Sequence, residues 1–167
     1  QYPKVFYQNI HNNEQLIQVQ NFVLDTSLNH YLKNEKIISC PFGEHLLPQY
    51  PENKIVFVEA PKTAIYATIY FGFPDNPEHP IWLAVYNLQS LNYDKCKNLS
   101  GRHVLLIPDL SLERKAFDLW KRKIDIIAKK IPGASFKMID SLEEFAGEEE
   151  MRKGLDLADF IIQATHR

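Results

Sequence analysis

The sequence predicts an α/β domain built on a mostly parallel four-stranded sheet flanked by helices, with a small β-hairpin extension on its N-terminal side. Three observations predict it. From Lys54 onward strand-like apolar runs alternate with helical patterns, the order that produces β-α-β crossovers. Val56, Phe57 and Val58 run unbroken into Glu59, as in a strand buried on both faces. The 167 residues, 45% hydrophobic and 24% charged, suit one domain of ordinary size that buries roughly two thirds of its unfolded surface. The expected division is residues 1–50 as extension and linker and residues 51–167 as the α/β domain.

The elements follow in order. Residues 4–24 (KVFYQNIHNNEQLIQVQNFVL) hold two strand-forming runs around Asn12-Asn13, residues that tolerate the left-handed backbone of a hairpin turn. A helix from Glu14, with Leu16, Val19 and Val23 at helical spacing, is the alternative. Asp25-Thr26-Ser27 can cap a short helix through Leu32. IVFVE (55–59) predicts a strand, 61–72 a helix, and IWLAVYN (81–87) a second strand, with the Pro-rich FPDNPEHP (73–80) as a surface loop between them. A short helix is expected near Leu91–Leu99, a third strand at HVLLIPD (103–109), and a long helix from about Leu112 to Ile131. There Phe117, Trp120, Ile124, Ile127 and Ile131 form the core-facing stripe. SFKMID (135–140) is a fourth, weaker strand, and a terminal helical region reaches Gln163.

Composition excludes several classes. A net charge of −2 supplies no global attraction to phosphate backbones or anionic membranes. No apolar run approaches the roughly 18–20 residues needed to span a bilayer. Cys40 and Cys96 lie far apart without metal-ligand spacing, which suits buried thiols in a reducing cytoplasm. The six histidines form no H-E-x-x-H, and neither a G-x-S-x-G elbow nor a P-loop occurs. The chain begins at Gln1 without a leader, as an excised domain or trimmed chain would.

Two acids stand out. In open parallel sheets ligands collect at the carboxyl ends of the strands, and Glu59 and Asp109 each close a predicted strand. If those strands are neighbours, both carboxylates reach one divalent cation, and hard oxygen ligands select Mg²⁺. The competing reading makes Glu59 a cap for the helix that Pro61 opens, where an acid complements the helix dipole. Lys62 in the first turn is either a phosphate contact or a solvated charge.

In this order, CPFGEHLL (40–47), VFVEAPKTA (56–64), IWLA (81–84), GRHVLLIPDLS (101–111) and KGLDLADFI (153–161) resemble the toprim domain of bacterial DNA primases and topoisomerases. They are closer still to the toprim-like primase-associated proteins carried by bacterial mobile elements. The resemblance implies a Rossmann-like toprim fold. It also implies a cytoplasmic, replication-type role with Mg²⁺- or Mn²⁺-dependent phosphoryl (nucleotidyl) transfer on nucleic acid, as in a primase. Its expected partners are nucleic acid or a nucleotide and other replication proteins, with no membrane.

On that resemblance Glu59 falls on the glutamate that acts near the phosphoryl chemistry, and Asp109 on the first acid of a metal-holding D-x-D pair. The second acid falls on Ser111, a neutral and poorer ligand. Asp156 and Asp159 resemble a late acidic stretch of primases and would supply the missing charge; their other reading is two acids on the capping or solvated side of a terminal helix. Pro61 replaces a glutamate and AVYN (84–87) a glycine-containing turn. These departures define the alternative, a catalytically degenerate toprim-derived binding or scaffolding module. For nucleic acid the local patch is on the long helix, Lys121, Arg122 and Lys123 above all, opposed by the acidic EEFAGEEE (143–150); any binding through it is expected to be weak and salt-dependent.

Overall fold

A computed structural model describes residues 40–165, so the expected hairpin over 4–24 and the helix after Asp25 lie outside the described residues. All of these but Cys40 belong to the second of two compact units, which begins at Pro41. Strands β1 (Ile55–Val58), β2 (Ile81–Ala84), β3 (His103–Leu106) and β4 (Ser135–Met138) form one sheet in the order β2-β1-β3-β4. Every pairing is parallel. Helix α1 (Pro61–Phe71) crosses from β1 to β2, the short α2 (Tyr93–Cys96) lies between β2 and β3, and α3 (Lys115–Ile127) leads to β4. Helices α4 (Ser141–Phe145), α5 (Glu148–Lys153) and α6 (Leu157–Thr165) complete the unit. This is the expected α/β architecture, a parallel sheet flanked by helices as in a Rossmann-like fold.

Period-two alternation within β1 builds the layers. Ile55 and Phe57 point into a cluster with Leu83, Val104, Leu106 and the α3 stripe of Trp120, Ile124 and Ile127. Val56 and Val58 point the other way, onto Ala64 and Ala67 of α1, Trp82 of β2 and Ile161 of α6. Every β1 residue is buried, which is why its sequence is continuously apolar.

Several boundaries differ from the expected ones. The second strand ends at Ala84 rather than Asn87, because Tyr86 adopts φ 81, a left-handed backbone no strand sustains. The long helix begins at Lys115, since Glu113 and Arg114 are also left-handed and leave only a 3₁₀ turn over Leu112–Arg114. The terminal region is three helices, separated at Ala146 and at left-handed Gly154.

CPFGEHLL protects the sheet edge. Phe42 makes an antiparallel bridge to Ala84, with hydrogen bonds of 2.8 and 3.2 Å, so the free side of β2 is partly covered. Arg102 ties down the end of this segment and the chain that follows it by donating to the carbonyls of Leu47, Tyr50 and Asn53. Among the described residues no helix is long and apolar enough to cross a membrane.

Candidate functional site

The strand order puts a topological switch between β1 and β3. The chain leaves β1 for β2 on one side, then returns past β1 to place β3 on the other. A crevice outside the carboxyl ends of the two central strands is where such sheets take ligands. Phe57 pairs with Leu106, and the ladder continues with the Ile107 amide donating to the Phe57 carbonyl at 2.9 Å. Glu59 and Asp109 follow within a few residues on each strand, so both carboxylates emerge at this switch. The Tyr86 amide donates to the Glu59 carbonyl at 2.8 Å, which holds the Glu59 backbone at the rim.

Asp109 is the most perturbed group there. Its Oδ1 is buried without a hydrogen-bond partner. Burial first, then repulsion by Glu59, Asp156 and Asp159, partly opposed by Lys62, pushes its pKa from 3.8 up to about 8. Glu59 is half-buried and likewise raised, chiefly by burial, with Asp156 adding and a hydrogen bond from the Leu88 backbone opposing. It does not cap α1, whose N-cap is Ala60 with no side-chain hydrogen bond. The capping explanation of Glu59 therefore fails.

Asp156 and Asp159 form a reciprocal cap at the start of α6. The Asp159 amide donates to Asp156 Oδ1 at 3.0 Å, and the Asp156 amide to Asp159 Oδ2 at 2.9 Å. Lys62 Nζ bridges the same pair, 3.0 Å from Asp156 Oδ2 and 3.3 Å from Asp159 Oδ1. The Thr63 hydroxyl donates to Asp156 Oδ2 at 2.7 Å in a buried contact. Burial opposes ionisation of Asp156, but the bonds from Thr63, Lys62 and the Asp159 amide outweigh it, and its pKa is lowered. Lys62 is raised in turn: desolvation works against its charge, and Asp156 and Asp159 overcome it. The acids thus divide into two kinds. Asp156 and Asp159 are satisfied, whereas Asp109, with Glu59 near it, has no counter-charge of its own.

The remaining expected site residues lie elsewhere. Ser111 Oγ accepts from the Ala116 amide at 2.8 Å, so it serves the start of α3. Lys121 and Arg122 are exposed on the outer face of α3. Lys123 is drawn inward to donate to the Gln89 carbonyl at 2.5 Å, and burial lowers its pKa. With Trp120 Nε1, which donates to the Leu88 carbonyl at 3.0 Å, Lys123 fixes the 3₁₀ turn Leu88–Ser90 whose backbone reaches Glu59. Thr63 and the Leu88 amide are the contributors that sequence reasoning missed. Thr63 stood inside VFVEAPKTA, next to the lysine already singled out; a backbone amide has no signal in side-chain identity.

The donor set suits a hard cation in a limited way. Among the described residues no three His, Cys, Asp or Glu side chains converge as a ready-made metal cage. Mg²⁺ seldom needs one, since it commonly binds through one or two carboxylates and completes its shell with water and substrate phosphate oxygens. The unpartnered Asp109 Oδ1 is the carboxylate oxygen at this rim that can serve in this way, with Glu59 as a neighbouring acid.

Comparison with known proteins gives one family match. A family model described as "Domain of unknown function (DUF6371)" matches residues 3–110. That span carries Glu59, Lys62 and Asp109 and stops short of Ser111, Asp156 and Asp159. No curated protein and no solved structure matches the chain.

Proposed function

The chain belongs to the DUF6371 family, whose description assigns no chemistry, and from that premise we propose that it is a toprim-like module of a replication-type protein, performing Mg²⁺-dependent phosphoryl (nucleotidyl) transfer on nucleic acid. One observation carries the reading: Asp109 Oδ1, buried and unpartnered among acids at the switch point. A carboxylate in that position costs folding free energy unless a cation arrives. Asp109 would hold the ion, with Glu59 beside it as the neighbouring acid rather than a ligand. Once bound, it supplies charge neutralisation at a phosphoryl group and at the oxygen that attacks or leaves.

The chain's own residues do the rest. Glu59, raised by burial and held by the Leu88 amide, moves a proton to or from that oxygen. Lys62, in the first turn of α1, exchanges its carboxylate partners for a substrate phosphate. Asp156 positions Lys62 and is itself positioned by Thr63.

A second reading has its own support. Ser111 and the Asp156–Asp159 pair are engaged in capping, which leaves a single ion at best supplied from this rim. A binding or scaffolding module that has lost turnover needs no second metal. Two measurements separate the readings. Under the first, millimolar Mg²⁺ or Mn²⁺ raises the melting temperature of the wild type and not of Asp109→Asn, and the protein extends or cleaves a nucleic-acid substrate in a Glu59-dependent manner. Stabilisation without turnover assigns the module to the second reading. Absence of any metal-dependent shift removes the cation, and the enzyme with it.

A further inference from the structure

Tyr86 adopts a backbone that its residue type disfavours. Its φ of 81° is left-handed, a conformation that glycine takes freely and a bulky residue takes at a cost. Such an outlier persists only where its surroundings over-determine it, and outliers of this kind cluster at functional positions. The Lys95 ammonium of α2 lies over the Tyr86 ring, 4.7 Å from its centroid. The Tyr86 amide donates to the Glu59 carbonyl at 2.8 Å.

Lys95 is only 4% exposed. Withdrawn from water, an ammonium attracts an aromatic face more strongly than it would at the surface. The backbone beneath it is fixed as well, because the Lys95 amide donates at 3.1 Å to the side chain of Asn92, the N-cap of α2. The cation is therefore presented by a preset turn of helix.

The bend at Tyr86 decides where Leu88 goes. β2 ends at Ala84, and a strand continued past it would carry the chain about 3.3 Å further on with each residue. At Tyr86 the chain turns instead into the 3₁₀ turn Leu88–Ser90, which Asn87 caps by accepting from the Gln89 amide at 3.0 Å. That bend brings the Leu88 amide back to the Glu59 side chain. One three-residue segment thus grips Glu59 twice, at its carbonyl through Tyr86 and at its carboxylate through Leu88.

We propose that Tyr86 and Lys95 are positioning residues for Glu59: the buried ammonium pins the aromatic ring, the pinned ring holds the left-handed bend, and the bend presents the Leu88 amide to the carboxylate. This role rests on Glu59 being the acid–base group of the proposed transfer reaction. The clamp itself needs neither metal nor substrate.

The test is amide hydrogen exchange on the full chain, free of metal and substrate. Tyr86→Gly takes the left-handed bend without strain and loses the ring. The clamp predicts faster exchange at positions 86 and 88 in this variant, on the order of tenfold after correction for intrinsic rates, as loss of one hydrogen bond to a charged group allows. The amides of Phe57 and Leu106 in the central strands should keep their wild-type rates. Lys95→Met keeps most of the stem, removes the charge and should act like Tyr86→Gly. Tyr86→Phe keeps the ring over the ammonium and should resemble the wild type. Unchanged exchange at positions 86 and 88 in Tyr86→Gly overturns the proposal, and so does an equal rise throughout the sheet, which would make the pair a general support of the fold. Turnover is the second readout: Tyr86→Gly should lower kcat on the order of 100-fold with KM unchanged, as a small misplacement of a reacting group does. Full kcat in that variant also overturns the proposal. A wild type that turns over no nucleic acid sinks the enzyme reading alone, because exchange decides the clamp by itself.

Discussion

The Thr63 hydroxyl donates to Asp156 Oδ2 at 2.7 Å and joins the first turn of α1 to the start of α6, 93 residues further along the chain. Both residues are buried, Thr63 at 1% exposure and Asp156 at 5%. Thr63→Val keeps the shape and removes the donor, leaving a buried carboxylate oxygen with Lys62 alone. The expected cost is about 1–2 kcal/mol, read by chemical denaturation with an unchanged slope, and Thr63→Ser should recover most of it. Because the Asp156 pKa is lowered, its stabilisation is present above the ordinary aspartate range and is lost as pH falls through the depressed value. Thr63→Val should therefore flatten the acid side of the stability curve.

Asp109 works in the opposite direction. Its folded pKa is raised from 3.8 to about 8, so between those values the unfolded chain releases a proton that the folded chain retains. Stability then falls as pH rises from about 4, and the penalty is complete above about 8. Full linkage is about 1.4 kcal/mol per pH unit, and water at the open rim reduces the expected net effect at pH 8 to on the order of 2 kcal/mol. Asp109→Asn should gain that amount at pH 8 and nothing near pH 4. Equal stability of the two proteins across this range would show that the carboxyl is not held in a costly environment.

The sheet and the two central acids were legible because their signals are local and periodic. Four short strands and their helical crossovers follow from apolar runs and what terminates them, but the third strand ends at Leu106 rather than Asp109, so Glu59 directly follows its strand while Asp109 stands three residues beyond its own. The breaks were less legible. Tyr86, Glu113 and Arg114 adopt left-handed backbone without being glycine, so tertiary contacts override what their residue types prefer. The state of each acid was not legible at all. Asp109 and Asp156 look alike in sequence, yet one keeps a buried oxygen without a partner and the other receives Thr63, Lys62 and an amide. That difference arises from contacts between residues far apart in the chain, which no spacing pattern encodes.

Gly43 is where the CPFGEHLL segment meets the sheet. Its φ is 82°, and an added Cβ would lie 2.7 Å from the Trp82 carbonyl oxygen, a backbone atom that cannot give way without disturbing β2. Gly43→Ala combines that clash with left-handed strain and is expected to cost roughly 1–3 kcal/mol. It should also loosen the Phe42–Ala84 bridge and uncover the free side of β2, so amide exchange at Phe42 and Ala84 should quicken more than at β3. Uniform acceleration across the sheet would mean that Gly43 supports the fold as a whole rather than this edge.

Trp120 carries the core's influence to the site. Fully buried on α3, it donates from Nε1 to the Leu88 carbonyl, while the backbone of the same residue hydrogen-bonds Glu59. Trp120→Phe keeps an aromatic ring in the core and deletes the donor, so it should cost about 1–3 kcal/mol through lost volume and an unsatisfied carbonyl. Freed from its anchor, the Leu88–Ser90 turn should hold Glu59 less firmly, and Glu59 without that amide should titrate at still higher pH. The expected signature is a weaker Mn²⁺-induced shift in melting temperature, beyond what Ile124→Val, a change in the same core cluster that removes no hydrogen bond to the turn, produces at comparable loss of stability. Equal metal responses in the two variants would confine Trp120 to packing and detach the α3 core from the acidic rim.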